Sequence, residues 1–363
     1  MVIRIKPKHL ITGLAALPFA AVLFAWSGIF DVSASSGHWK ITEWFLHFAM
    51  RSSVRTHALA VKAPDELPRH ALKPAAGHFA RGCAICHGAP GEPRSPAALR
   101  ILPPPPDLAG IVDEWTDPQL FQIVKHGVKY TGMPAWPTQE RDDEVWAMVA
   151  FLRELPGLDA ERYRELAYGD AEPALGRAYG FEEALAECSR CHGRDGQAGG
   201  ESVPVLAGQS ETYLLASLSA YLEGSRPSGI MEIPARAVEP EFLPELARHF
   251  AAQPRIVPAR TEDDSALHRR GETIARNGIS QTRVPACLEC HGRTERNPLY
   301  PNIAGQHENY IAGQLELFRD GMRGGTRYNH LMRNAAKNLT DGDIEALAAY
   351  FSRLQAPPEN ETP

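Results

Sequence analysis

Three pentapeptides decide how this chain reads: Cys83-Ala84-Ile85-Cys86-His87, Cys188-Ser189-Arg190-Cys191-His192 and Cys287-Leu288-Glu289-Cys290-His291. Each is C-x-x-C-H, in which two thiols add to the vinyl groups of a haem and the adjoining histidine becomes the proximal iron ligand. The three copies use all 6 cysteines of the chain, so no thiol remains for a structural disulfide or a nucleophile. A redox dithiol has no need of a histidine directly after it. A zinc site would pair its C-x-x-C units within one domain rather than spread them along the chain. The motifs predict three covalent haems c (heme c), bound through Cys83, Cys86 and His87, through Cys188, Cys191 and His192, and through Cys287, Cys290 and His291.

What surrounds the motifs is also repeated. Downstream of each lies P-x-[LI]-A-G: Pro106 to Gly110, Pro204 to Gly208 and Pro301 to Gly305. The last two copies continue alike, with Gln209, Tyr213, Leu218 and Gly224 matching Gln306, Tyr310, Leu315 and Gly321. Each copy then closes on an apolar i, i+3, i+4, i+7 pattern, one face of an α-helix: Val145, Met148, Val149, Leu152; Leu243, Leu246, Ala247, Phe250; Ile344, Leu347, Ala348, Phe351. Thr340 and Asp343 have the spacing of a helix-capping pair, and Pro244 falls where a helix start tolerates proline.

The repeat also predicts the sixth iron ligand. Met133, Met231 and Met332 each lie 12 residues before the first apolar position of their closing helix. Packing alone has no reason to hold that register. Met148 and Met322 are the rival methionines, the first on a buried helix face and the second in an earlier glycine-rich turn. His126 and His330 are the rival histidines. A thioether is a soft, neutral donor that favours reduced iron, so the pairs His87/Met133, His192/Met231 and His291/Met332 suit electron transfer with no open coordination position. The proline of each P-x-[LI]-A-G offers its carbonyl to the Nδ1–H of the proximal histidine.

Length and charge bound the rest. A chain of 363 residues with three evenly spaced motifs predicts three small domains, each folding around a large apolar group. The net charge of −6 divides as +5 over residues 1–64, −4 over 65–160, −6 over 161–258, +1 over 259–356 and −2 over the tail 357–363. Nothing beyond the N-terminus is strongly basic, which excludes nucleic acid as an expected partner. At the N-terminus, Arg4, Lys6 and Lys8 precede an uncharged run from Leu10 to Phe30, 21 residues long. Such a run predicts a single-pass transmembrane helix with the haems on the periplasmic side of the bacterial cytoplasmic membrane. A cleaved signal peptide is the competing reading, with Val32-Ser33-Ala34 as a small-residue cleavage site. The aromatic stretch from Gly37 to Arg51 reads as a helix, either at the membrane interface through Trp39 and Trp44 or packed on the first haem domain.

These residues resemble a known family. Each copy is similar to a class I cytochrome c domain: an N-terminal helix, C-x-x-C-H, a proline loop, a methionine loop and a closing helix. Residues 175–355 resemble the bacterial dihaem cytochrome c4, through its two haem motifs, Pro204 to Gln209, Met231, Pro301 to Gln306, Met332 and Leu339 to Ile344. Residues 75–155 resemble a separate single-haem cytochrome, through Cys83, Cys86, His87, Pro103 to Leu108 and Lys125 to Trp136. The Met231-Glu232-Ile233-Pro234 stretch and Pro244 depart from the pattern. With the N-terminal run added, the expected fold is all-α: an N-terminal transmembrane helix (1–36), an interfacial helix and linker (37–64), then, as the resemblance implies, three tandem class I cytochrome c domains at 65–160, 175–255 and 265–356. Linkers are expected near 156–174 and 254–266. The resemblance implies electron transfer in the periplasm, often to a terminal oxidase; the expected role is a respiratory-chain carrier between redox partner proteins rather than an enzyme, with a haem-bearing subunit of a membrane dehydrogenase as the alternative. A haem enzyme with one open iron site is the rival.

Overall fold

The computed structural model describes residues 7–171, 178–256, 265–292 and 297–355. Its helices of eight or more residues are α1 (Pro7–Trp26), α2 (Lys40–Ala58), α3 (Leu72–Gly82), α4 (Asp117–His126), α5 (Asp142–Glu154), α6 (Ala160–Tyr168) and α7 (Phe181–His192). They continue with α8 (Glu211–Leu222), α9 (Gly229–Ala237), α10 (Leu243–Ala251), α11 (Ala266–Asn277), α12 (Glu308–Arg319), α13 (Asn329–Ala336) and α14 (Asp341–Arg353). Among the described residues β structure is limited to isolated bridges. The all-helical fold is therefore as expected.

The apolar faces read from the sequence organise three cores. In the first unit Val145, Met148, Val149 and Leu152 of α5 pack with Phe79 of α3. In the second, Leu243, Leu246, Ala247 and Phe250 of α10 pack with Leu185 of α7. In the third, Ile344, Leu347, Ala348 and Phe351 of α14 pack with Ile274 of α11. Each large side chain so buried contributes about 1.5–3 kcal/mol. In every unit the closing helix crosses the helix that leads into the haem motif. In the third the crossing is close enough that a Cβ on Gly271 would lie 2.0 Å from the Ala346 carbonyl oxygen. The α14 start is a reciprocal cap: Asp343 N–H donates to Thr340 Oγ1 at 3.2 Å, and Thr340 N–H donates to Asp343 Oδ2 at 3.0 Å.

Three expectations change. The transmembrane helix is the first. Among the described residues no helix is long and apolar enough to cross a membrane. The uncharged run reaches Phe30, but α1 stops at Trp26, where Ser27 Oγ donates to the Phe24 carbonyl and Gly28 turns with φ 71°. Only Leu10–Trp26 of the run is helical, with Pro18 inside it. At ~1.5 Å per residue that is about 26 Å, short of a hydrocarbon core of about 30 Å. The single-pass membrane anchor, and the membrane as a partner through this helix, fall with it.

The second change is α2. Its C-terminal part joins the first core through Val54, with Met50 packed against it, while Trp39, Trp44, Phe45 and Phe48 stay exposed. The third is the expected linker at 156–174, which contains α6. Tyr163, Ala167 and Tyr168 bury that helix in the first core. Of the other expected linker, residues 257–264 lie outside the described residues.

Candidate haem sites

Each haem motif sits at the end of a helix or on a single helical turn, and each proximal histidine is fixed by the following proline loop. His87 Nδ1–H donates to the Pro106 carbonyl at 2.9 Å, His192 to Pro204 at 3.0 Å and His291 to Pro301 at 3.0 Å. That bond fixes the tautomer: with the proton on Nδ1, the Nε2 lone pair is free for a metal. Burial reinforces it by disfavouring the imidazolium. The His192 pKa is lowered to about 4, and those of His87 and His291 are lowered as well. Burial also pushes the thiols of Cys83 and Cys188 up to about 12 and that of Cys287 up to about 11, so they stand neutral.

The three methionines occupy different local structures. Met133 lies in a loop after α4, its N–H on Thr131 Oγ1 at 3.1 Å and its carbonyl accepting from Val128 N–H at 3.2 Å. Gly127 makes this loop possible: its φ is 63°, and a Cβ there would lie 2.5 Å from Pro134 backbone atoms. Met231 sits in the first turn of α9, and Met332 lies on α13. Among the rivals, Met148 is a core residue at 1 % exposure, His126 and His330 are exposed, and Met322 is held in a turn by its N–H on the Leu317 carbonyl.

The second and third sites open into one continuous cavity of about 1010 Å³. Cys188, Cys191, His192 and Met231 line one part, and Cys287, Cys290, His291 and Met332 line the other. Its size is at the top of the range of about 300–1,000 Å³ for a single-ligand site, consistent with more than one large occupant. The first-site residues Cys83, Cys86, His87 and Met133 do not line it.

Two glutamines join the units around this cavity. Gln209 Nε2 donates to the Asn302 carbonyl at 3.0 Å, and Asn302 N–H returns a bond to Gln209 Oε1 at 2.7 Å. Gln306 does the same to Val205, at 3.1 and 2.9 Å. The pairing is reciprocal, as across a two-fold axis. The sequence marks both glutamines as repeated. The first unit has Ile111 after its P-x-[LI]-A-G and no part in this pairing.

Arg226 and Arg323 also face the cavity, and their role is not evident from the motifs. Both are buried. Arg226 Nη2 donates to Tyr310 Oη and Gln314 Oε1, each at 3.3 Å, and Arg323 Nε donates to Gln314 Oε1 at 2.8 Å. Among the described residues no carboxylate pairs with either. Burial and the neighbouring Arg226 charge lower the Arg323 pKa. Two buried guanidinium groups at an apolar cavity call for anions, and the propionates of haem are carboxylates on an apolar ring. The residues present therefore fit that group: paired thiols, neutral histidines with Nε2 free, thioethers and buried cations. The signal that could have found the arginines is their shared place in the repeat, two residues after Gly224 and Gly321.

Comparison with known proteins agrees. The family described as cytochrome c oxidase, cbb3-type, subunit III matches residues 70–152. Cytochrome c4 of Azotobacter vinelandii is 35 % identical over 201 residues, covering 52 % of this chain and 90 % of that protein. The thiosulfate dehydrogenase electron acceptor of Stutzerimonas stutzeri (strain A1501) is 29 % identical over 178 residues, covering 48 % of this chain and 82 % of that protein. The crystal structure of reduced recombinant cytochrome c4 from Pseudomonas stutzeri matches at 33 % identity, over 50 % of this chain and 100 % of that one, with a TM-score of 0.43. With its histidines, thiols and cavity arranged for haem c, the chain belongs to the cytochrome c family, as a homologue of the dihaem cytochromes c4, and transfers electrons through haem.

Proposed function

We propose that this protein carries three covalent haems, one in each unit, with axial pairs His87/Met133, His192/Met231 and His291/Met332, and relays electrons between two protein partners. The units are those expected at 65–160, 175–255 and 265–356, the first extended through α6. The observation that carries the reading is the same proline-carbonyl bond on all three proximal histidines. A bound haem supplies a one-electron couple at its iron. The chain's own residues do the rest. Each proline carbonyl orients an imidazole and raises its basicity, each methionine offers a neutral soft donor, and Arg226 and Arg323 supply buried positive charge. With a histidine and a methionine offered to each iron, no position would be left for a substrate. This favours a carrier or an electron-transfer subunit over a haem enzyme with an open site.

For the partners, the homology to thiosulfate dehydrogenase electron acceptors favours a dehydrogenase as donor, with a terminal oxidase as the alternative on the accepting side. Affinity capture of the full chain, followed by redox titration of what accompanies it, tests this. Recovery of a dehydrogenase that reduces the haems supports the reading. A chain that binds carbon monoxide tightly when reduced and undamaged would contradict the closed ligation.

A further inference from the structure

Glu144 lies on α5, in the first unit, yet its carboxylate is spent on the second. It is 4 % exposed. Oε1 accepts from Ser228 Oγ at 2.5 Å, and Oε2 accepts from the backbone N–H of Gly229 at 2.6 Å and of Ile230 at 3.3 Å. Trp136 Nε1 donates to Oε2 as well, at 3.3 Å. Arg141 sits 3.0 Å from the carboxylate and donates to the Pro227 carbonyl at 2.8 Å. The Ser228 hydroxyl in turn accepts the N–H of Met231 at 3.1 Å. These N–H groups are the unpaired donors at the start of α9, where negative charge is stabilising.

The capping carboxylate thus comes from another unit, 84 residues from the serine it holds. The fit is close. A Cβ on Gly229 would lie 2.3 Å from Trp136 Nε1, and the His78 ring of α3 packs on Trp136 with centroids 4.2 Å apart. Among the described residues the third unit shows no such device: the residue before α13, Tyr328, makes no side-chain cap. The second unit is also the one whose methionine stretch departs from the repeat.

We infer that Glu144 is a positioning residue for Met231: docking of the first unit holds the second unit's methionine helix in register for its iron. This rests on the ligation proposed above. The residue acts through Ser228 and the α9 backbone.

The test uses the full haem-loaded chain and reads the sulfur-to-iron absorption band of the ferric protein and the methionine methyl resonances of the ferrous protein. Met231→Ala identifies which signal belongs to Met231. Glu144→Gln, in which Arg141 keeps its pairing with Asp143, is expected to lose or shift that signal and leave the other two in place. Carbon monoxide should then bind the second haem alone. Ser228→Ala, which breaks the link to the Met231 N–H, should shift the same signal by a smaller amount, and Ser228→Thr should restore it. If Glu144→Gln does not fold, the serine pair decides by the same readouts. A Met231 signal indifferent to these variants, with only stability altered, overturns the positioning role alone. A wild type without any Met231 signal overturns the ligation reading and this inference together.

Discussion

Arg190 Nη2 donates to the Gly77 carbonyl at 2.9 Å, and the missing side chain of Gly77 leaves room for Cys191, whose Sγ would stand 3.0 Å from a Cβ there. The second haem motif therefore lies directly on α3, the helix that leads into the first. Arg190 is 5 % exposed, donates also to the Ala167 carbonyl and pairs with Glu187 at 3.1 Å. Replacing Arg190 with Met should remove its bonds to the Gly77 and Ala167 carbonyls and its pairing with Glu187, and cost about 1–3 kcal/mol, most of it in the docking of the first two units. Denaturant unfolding followed at each unit should change from one transition to two. A single unshifted transition would contradict this.

Gln306→Ala removes the two bonds to Val205 while the polar backbone of Val205 stays buried. The expected loss is about 1–3 kcal/mol, and Gln209→Ala should match it because the pairing is reciprocal. Unequal effects of the two variants would show that the symmetry of the contacts does not extend to their energies.

Two glycines of the third unit separate crossing from propensity. Gly271→Ala places a Cβ on the Ala346 carbonyl and should destabilise the unit by about 1–3 kcal/mol or more. A Cβ on Gly342, in the first turn of α14, would meet nothing within 4 Å, and Gly342→Ala should stabilise by up to about 0.5–1 kcal/mol. Opposite signs in urea unfolding are the expected outcome.

Acid should loosen the third unit. Burial alone would raise the Asp343 pKa, but bonds from Thr340 and Arg270 outweigh it and the net shift is downward. A carboxyl depressed in the folded state contributes stability that is present above its unfolded value, ~3.9, and is lost as pH falls through the lower folded value. Melting curves taken downward from about pH 5 should therefore fall more steeply for the wild type than for Asp343→Asn. Parallel curves would show that Asp343 has no part in the acid response.

Much of this architecture was legible because it repeats. The closing-helix faces, the Thr340–Asp343 cap and the proline carbonyl on each histidine follow from residues close in sequence whose spacing has one physical meaning. The contacts between units were not legible. Glu144 looks like one more acid in the first turn of α5, and Arg190 like a variable position inside a haem motif. Their partners, Ser228 and Gly77, are set by docking, which leaves no period in the chain. The same holds for α6, whose Tyr163 and Tyr168 are buried by packing on α3 in a stretch that reads as a linker. The N-terminal run misled for another reason: lack of charge marks apolarity, whereas the end of α1 is set by Ser27 and Gly28.

Every function proposed for this chain requires that three pentapeptides each hold a porphyrin. Intact mass of the purified mature polypeptide, with peptide mapping of Cys83/Cys86, Cys188/Cys191 and Cys287/Cys290, measures this directly. Three covalent haems are expected, one on each cysteine pair. A mature chain with an unmodified pair at any of the three would contradict the triheme reading.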